Sequence, residues 1–296
     1  MAPITTLLLL APALALLGLI FLWPWLHYGW LSVHASSLLT GLRALPNGGA
    51  NWPRLAQDPR FWQDAFQTLR FAGVSVALEL ALGLAMALLL HQPSRWRGLS
   101  RALVLLPWAL PGPVMALGWR WILNDPHGPI NRLIQSLGGQ PQPFLAAPAI
   151  TWLATVLADV WKTTPFVAIL LLAGLQAIPR DLEEALRLEG AGPWTLLWRL
   201  RWPLLAPFVG LAVLFRLAQA MGVFDLVQLL TGGGPAGSTE TLALYAYLQA
   251  MRFLDFGYTA TVVLATFLLL ALLTLLGLAM LRRRPGQPAS QEPGLP

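Results

Sequence analysis

Cysteine is absent from the 296 residues, lysine occurs once, at Lys162, and charged residues of any kind make up only 11% of the chain. Without cysteine there is no disulfide framework, no thiolate metal site and no cysteine nucleophile, though compartment stays open. The lone lysine follows Trp161 in an apolar stretch, so no Gly-x-x-x-x-Gly-Lys-Ser/Thr loop exists to cradle a nucleotide, and the run Gly232-Gly233-Gly234 lacks a following basic residue and reads as a turn. His27, His34, His91 and His127 lie in or beside loops with no His-Glu-x-x-His pair, and Gly-x-Ser-x-Gly is missing, which leaves metal or serine hydrolysis unsupported. Ordinary soluble domains carry about 25% charged residues. The low charge here, with 56% hydrophobic residues and a mean hydropathy of +0.62, excludes a soluble enzyme or a nucleic-acid binder and implies an all-α, polytopic membrane protein. The net charge of +6 is nearly all arginine and reads as topology.

What the chain does contain is a series of apolar runs. Ile4 to Leu26 is free of charge and long enough for a hydrocarbon layer of about 30 Å. It lacks a basic n-region and exceeds the usual signal h-region of about 7 to 15 residues, so a retained first helix is expected. From His27 to Asp64 the turn formers Pro46, Asn47, Gly48, Gly49 and Pro53 predict a polar outer loop, giving residues 1–64 as first span plus loop and 65–284 as the membrane core. Further helices are expected at about Ala65–His91 (with Glu79 inside), Ala102–Leu123 (broken by Pro107, Pro111 and Pro113), Pro148–Gln176, Leu204–Leu230 and Gly257–Leu281. Loops are expected over Asn124–Ala147 and Thr231–Phe256, and a disordered tail over 285–296. A charge at mid-membrane costs on the order of 3 kcal/mol while each large apolar residue returns about 0.3 to 0.6. Asp159 and Lys162, three apart on one face, are therefore expected to pair with each other or with another helix, and Arg216 is placed to neutralise Glu79 or to meet an anionic solute.

About six spans put both termini on one side. Arg95, Arg97, Arg101, Arg180, Arg187, Arg199, Arg201, Arg282, Arg283 and Arg284 fall on that side, against Arg43, Arg54, Arg60, Arg132 and Arg252 opposite, which places both termini in the cytoplasm.

On the same side lies a charged segment from Ile178 to Pro207. Pro179 suits a first helical turn, Asp181, Glu183 and Glu184 suit a positive helix end, and Gly190 is placed to stop the helix. Gly192 and Pro193 can restart a second short helix through Trp194 to Arg201, before Pro203 and Pro207 lead into the membrane. Two short helices bent at a glycine make a knuckle, residues 178–203. Its apolar side (Leu182, Ala185, Leu186, Leu188) suits docking on another protein.

The order Glu184-Ala185, Gly190, nine residues, then Leu200-x-Trp202-Pro203 resembles the Glu-Ala-Ala loop of permease subunits in binding-protein-dependent ABC importers, with Leu186 for the second alanine and Glu189 for the usual aspartate. Downstream, Phe224-Asp225, Leu230-Thr-Gly-Gly-Gly-Pro235, Thr239 to Leu242, Tyr245-Ala-Tyr247 and Asp255-Phe-Gly-Tyr258 resemble the carbohydrate-uptake branch, relatives of the maltose and glycerol-3-phosphate systems. The resemblance spans about Phe61 to Arg284. It implies the ABC importer permease fold in a bacterial or archaeal plasma membrane. It also implies four partners besides lipid: a second permease, two ATPase subunits and an extracytoplasmic binding protein. ATP and Mg would be bound by the ATPase, with no cofactor, metal or catalytic residue in this chain. Carried onto this sequence, the ATPase-coupling residues are Glu184, Ala185, Glu189, Gly190 and Pro203. Aromatic faces and planar hydrogen-bonding groups suit sugars, so Trp119, Trp161, Phe215, Arg216, Gln219, Phe224 and Asp225 are the substrate-path candidates; packing or interfacial anchoring is the competing role for each. The alternatives are an ion-coupled secondary transporter using Glu79, Asp159 and Lys162, or an ABC permease for a non-sugar such as glycerol-3-phosphate.

Overall fold

In the computed structural model, which describes residues 3–282, helices follow one another almost without relief. The expected disordered tail lies outside the described residues. α1 (Pro3–Leu17) passes through a wider π-helical turn, Gly18–Leu22, into α2 (Trp23–Ser32). Strands β1 (His34–Ala35) and β2 (Leu45–Pro46) pair antiparallel and lead to α3 (Asn51–Ala56). α4 (Pro59–His91) begins ahead of the Ala65 that hydropathy predicts. The dipeptide Asp58-Pro59 explains this: the Asp58 carboxylate accepts the Arg60 N–H at 3.0 Å, and proline pre-sets φ at the first helical position.

The third span is two helices, α5 (Arg97–Ala109) and α6 (Gly112–Ile122), bent by 87°. Pro111 caps α6 and Pro113 sits in its first turn, whereas Pro107 is absorbed within α5. After α7 (Pro129–Ser136), α8 (Pro148–Gln176) has the expected bounds. α9 (Arg180–Leu188) starts after Pro179, which caps the helix rather than joining its first turn. α10 (Pro193–Thr195) continues through π-helical Leu196–Arg201 into α11 (Trp202–Met221), so the knuckle's second helix and the fifth span are one rod of 29 residues.

Expectations for the connecting segments and for the fifth span are corrected. The loops expected over 27–64 and 124–147 hold α3 and α7, which at six and eight residues are too short to stand out as apolar runs. The fifth span stops at Met221, not Leu230: the backbone leaves the helix at Gly222 and restarts as α12 (Asp225–Leu230), which packs on α6. The region between Thr231 and Phe256 is not merely loop but holds α13 (Leu242–Met251), capped by the Thr241 hydroxyl, which accepts the Leu244 N–H at 3.4 Å. α14 (Phe256–Arg282) closes the chain. Among the described residues, five helices are long and apolar enough to cross a bilayer, or six spans counting α5 and α6 as one.

α4 and α8 form the central pair. They approach so closely that a Cβ on Gly83 would stand 2.7 Å from Val167 Cγ1, inside van der Waals contact, so glycine is required there. Ala87, Val167, Leu171, Leu175 and Leu205 fill the core near the α9 end, while Phe61, Leu242, Tyr245, Tyr258 and Val262 fill it at the opposite end. α2 leans on α14, with Trp25 and Phe267 ring centroids 4.1 Å apart.

Candidate functional site

Midway along the bundle, three helices converge on one guanidinium. Arg216 of α11, 2% exposed, donates Nη2 to Glu79 Oε1 of α4 at 2.8 Å and to Asp159 Oδ2 of α8 at 3.0 Å, and Nε also bonds Glu79. Nη1 reaches Gln219 Oε1 at 2.7 Å, and the Thr163 hydroxyl lies 2.8 Å from Glu79 Oε1. Charges that would each be costly in a low-dielectric layer are thus satisfied by one another. Asp159 has chosen the other helix over Lys162. The Lys162 ammonium instead donates to the Leu110 carbonyl at 3.0 Å, a group left without a helical partner by the break between α5 and α6.

The path candidates divide accordingly. Arg216 is buried in this cluster, and Gln219 sits at its exposed edge. Trp119 and Trp161 meet edge to face at 5.7 Å, with Trp161 44% exposed. Asp225 closes on the same break as Lys162: a Cβ on Gly112 would lie 3.1 Å from Asp225 Oδ2 and 3.7 Å from Lys162 Nζ. Phe215, exposed, stacks edgewise on Phe166 at 6.3 Å, and Phe224 lies against Tyr247 at 4.9 Å. Trp161, Lys162 and Asp225 therefore share one neighbourhood, and Phe215, Arg216 and Gln219 share another on α11.

The coupling candidates gather at one end. Glu184, Ala185, Glu189 and Gly190 are all exposed on or just after α9, and Pro203 is exposed in the first turn of α11. Gly190 has φ +86°, the left-handed region that ends α9 and costs a side-chain-bearing residue about 1 to 2 kcal/mol. What fastens α9 to the membrane rod is Glu183. Its carboxylate accepts Arg201 Nε at 2.8 Å and Nη2 at 2.9 Å, and this bidentate bond holds its pKa below the usual carboxylate range. Arg187 stands 3.8 Å away on the same helix.

A family model described as the binding-protein-dependent transport system inner membrane component matches residues 79–285. The chain belongs to this family. It is 37% identical over 278 residues to the trehalose/maltose transport system permease protein MalF of Thermococcus litoralis, covering 94% of this chain and 93% of that protein. It is 35% identical to the sulfoquinovosyl glycerol transport system permease protein SmoG of Agrobacterium fabrum, covering 94% and 90% respectively. Among solved structures, a chain of a bacterial ABC transporter that imports the acidic polysaccharide alginate aligns with a TM-score of 0.82 at 19% identity, covering 94% of this chain and 95% of that one, which supports the shared fold. The permease is thus a transport subunit that works with other components of its transporter, and ATP hydrolysis resides in a separate subunit.

The sequence did not point to one polar constellation of the permease, at the end opposite α9. Arg60 Nε and Nη2 donate to Glu240 at 3.0 Å each, Arg54 donates to Asp255 at 2.7 Å and lies 3.9 Å over the Tyr258 ring, and Asp58 accepts from the hydroxyls of both Tyr245 and Tyr258. Burial pushes the Asp58 carboxyl up, but the two tyrosine bonds and the Arg60 N–H outweigh it and leave the group below its ordinary value. The same contact, with burial the larger cause, pushes the Tyr245 phenol up to about 12. Arg54, Asp58 and Arg60 stand within one short stretch of a charge-poor chain, and that local density was the available signal.

Proposed function

We propose that this permease carries a sugar or sugar derivative inward as one of two permeases in an ATP-driven importer. Two ATPase subunits, binding ATP and Mg, sit under the α9 end; an extracytoplasmic binding protein delivers cargo at the other; and both chain termini are cytoplasmic. The handle geometry carries this reading. α9 is exposed along the residues that match the coupling motif, yet Glu183 ties it bidentately to Arg201, and Arg201 lies on the same rod as Arg216. Fifteen residues of helix put the two arginines about 22 Å apart along the axis. A push on α9 therefore reaches the ion cluster at mid-depth through a stiff element. For ATP to drive transport, the ATPase must contact α9 differently in its two states, because a joint with equal contacts in both transmits nothing.

The carbohydrate cargo is supported by the relatives named for trehalose/maltose and for sulfoquinovosyl glycerol, and by the exposed aromatic and amide side chains of Trp161, Phe215 and Gln219, whose chemistry suits sugar faces and hydroxyls. An ion-coupled carrier is the weaker reading, since the two carboxylates at mid-depth, Glu79 and Asp159, are already held by Arg216. The test is purification from native membranes with mass spectrometry of what accompanies the chain, beside a Glu184→Lys variant. A second permease and an ATPase are expected with the wild type, and loss of the ATPase with the variant. A chain that emerges alone, and whose uptake collapses with the ion gradient, would sink the proposal.

A further inference from the structure

A cleft of ≈ 1290 Å³ opens beside the handle, between the end of α4, the start of α5 and α9. Arginines line it from three separate stretches: Arg97 and Arg101, Arg180 and Arg187, and Arg201. Only Glu183 and Glu184 oppose these five, leaving three positive charges in excess. The arginines are not equally available. Arg201 and Arg187 face Glu183, and Arg97 donates to the carbonyls of Gln92 at 3.2 Å and His91 at 3.4 Å, closing the end of α4. Among the described residues Arg101 and Arg180 have no carboxylate within 4.0 Å, and Arg101 Nε is buried without a hydrogen-bond partner.

Apolar side chains share the lining with them: Leu88 and Leu197, both half-buried, and the Trp194 indole, 72% exposed. The spans of α4 and α8 end at His91 and Gln176, both in the lining, so the cleft straddles the level where hydrocarbon gives way to headgroups. Guanidinium and hydrocarbon in one cleft, at that depth, match a molecule with a phosphate head and an acyl tail. A free phosphate offers the same head but leaves the apolar lining wet.

We infer that this cleft binds the phosphate headgroup of an anionic phospholipid of the inner leaflet through Arg101 and Arg180, with an acyl chain against Leu88 and Leu197. The inference rests on the proposed topology, in which α9 lies on the cytoplasmic side. A lipid seated there links Arg180 of the handle to Arg101 of α5, a connection that the Glu183–Arg201 bond does not make.

The test uses the purified, delipidated transporter in detergent, titrated with phosphatidylglycerol, phosphatidylcholine or inorganic phosphate and read by native mass spectrometry. The wild type is expected to retain phosphatidylglycerol in clear preference to phosphatidylcholine. In the R101Q/R180Q variant that preference falls by about 25-fold, roughly fivefold for each arginine, while R101K/R180K, which keeps both charges, retains most of it. Equal retention of the two lipids by the wild type, or an unchanged preference in R101Q/R180Q, overturns the inference. Inorganic phosphate competing as well as phosphatidylglycerol overturns it in favour of a free-anion site. Topology is read separately: the R187C thiol, alone in a chain without cysteine, is expected to resist a membrane-impermeant maleimide added to intact cells. Labelling from outside removes the topology, whereas a protected thiol with no lipid preference removes only the lipid.

Discussion

The two ends of this permease are fastened in opposite ways. At the end opposite α9, Arg60–Glu240, Asp58–Tyr245, Asp58–Tyr258 and Arg54–Asp255 join residues 180 to 201 positions apart, so α3 and the start of α4 are tied to α13 and α14. At the α9 end the bidentate pair Glu183–Arg201 spans only 18 positions, and side chains such as Leu188 (90% exposed) stand free of the fold. The first end is cross-linked between segments distant in sequence, whereas the handle is fastened to the rod that follows it directly in the chain. Between them the Arg216 cluster joins α4, α8 and α11.

The comparison breaks first if the middle fails. Arg216→Leu strands two buried carboxylates and is expected to cost about 3 to 5 kcal/mol, seen as a collapse of yield and of the detergent melting temperature; a stable, well-expressed variant would show that the cluster does not join the two ends. Asp58→Asn keeps a helix cap but removes the charge that two phenols share, and is expected to cost about 2 kcal/mol, with faster proteolysis in 231–256 and none at α9. Its pH dependence has a definite sign. The folded pKa lies below the ordinary 3.8, so the contribution is present above that value and is lost as pH falls through the folded pKa; the variant should lose this part of the wild type's acid sensitivity.

Gly190→Val places a β-branched residue at φ +86° and is expected to cost about 1 to 2 kcal/mol. Its larger effect is on coupling: ATP hydrolysis persists in the assembled transporter while uptake falls, and normal uptake would show that the bend at Gly190 is not part of the lever. Glu183→Gln is the mildest for stability, within about 1 kcal/mol, and it sharpens the contrast, because uptake should drop far more than the melting temperature. The Glu183 contribution to stability is present above the ordinary 4.5 and fades as pH falls through the lowered folded value, a dependence the variant should lack.

The α9 end was legible because everything that makes it lies within one continuous stretch: charge pattern, Gly190, and Gly192-Pro193 at a helix start. α8 was legible too, bounded by Pro148 and the polar Gln176. The break after Met221 was not, because Gly222, Val223 and Phe224 do not lower hydropathy; the chain turns there as α12 packs on α6. α13 escaped because its ten residues are too few to cross a bilayer and sit among turn formers. The cluster at the far end from α9 escaped for a different reason. Tyr245, Asp255 and Tyr258 stand in local motifs, but their partners lie 187 to 201 positions away, and no local pattern encodes such a pairing. The sequence leaves Arg216 between a counter-charge for Glu79 and a contact for an anionic solute, and it does not show that Lys162 turns from Asp159 to the freed Leu110 carbonyl.

The long separation between Asp58 and Tyr258 also sets an order of events at the ribosome. Synthesis at about 5 to 20 residues per second puts roughly 10 to 40 seconds between the two. Through that interval α2 has yet to receive α14, and Asp58 waits in a loop without its tyrosines. The most securely bound end of the finished permease is thus the last to be completed, and a nascent chain stalled before Tyr258 carries a finished handle at one end and an open face at the other.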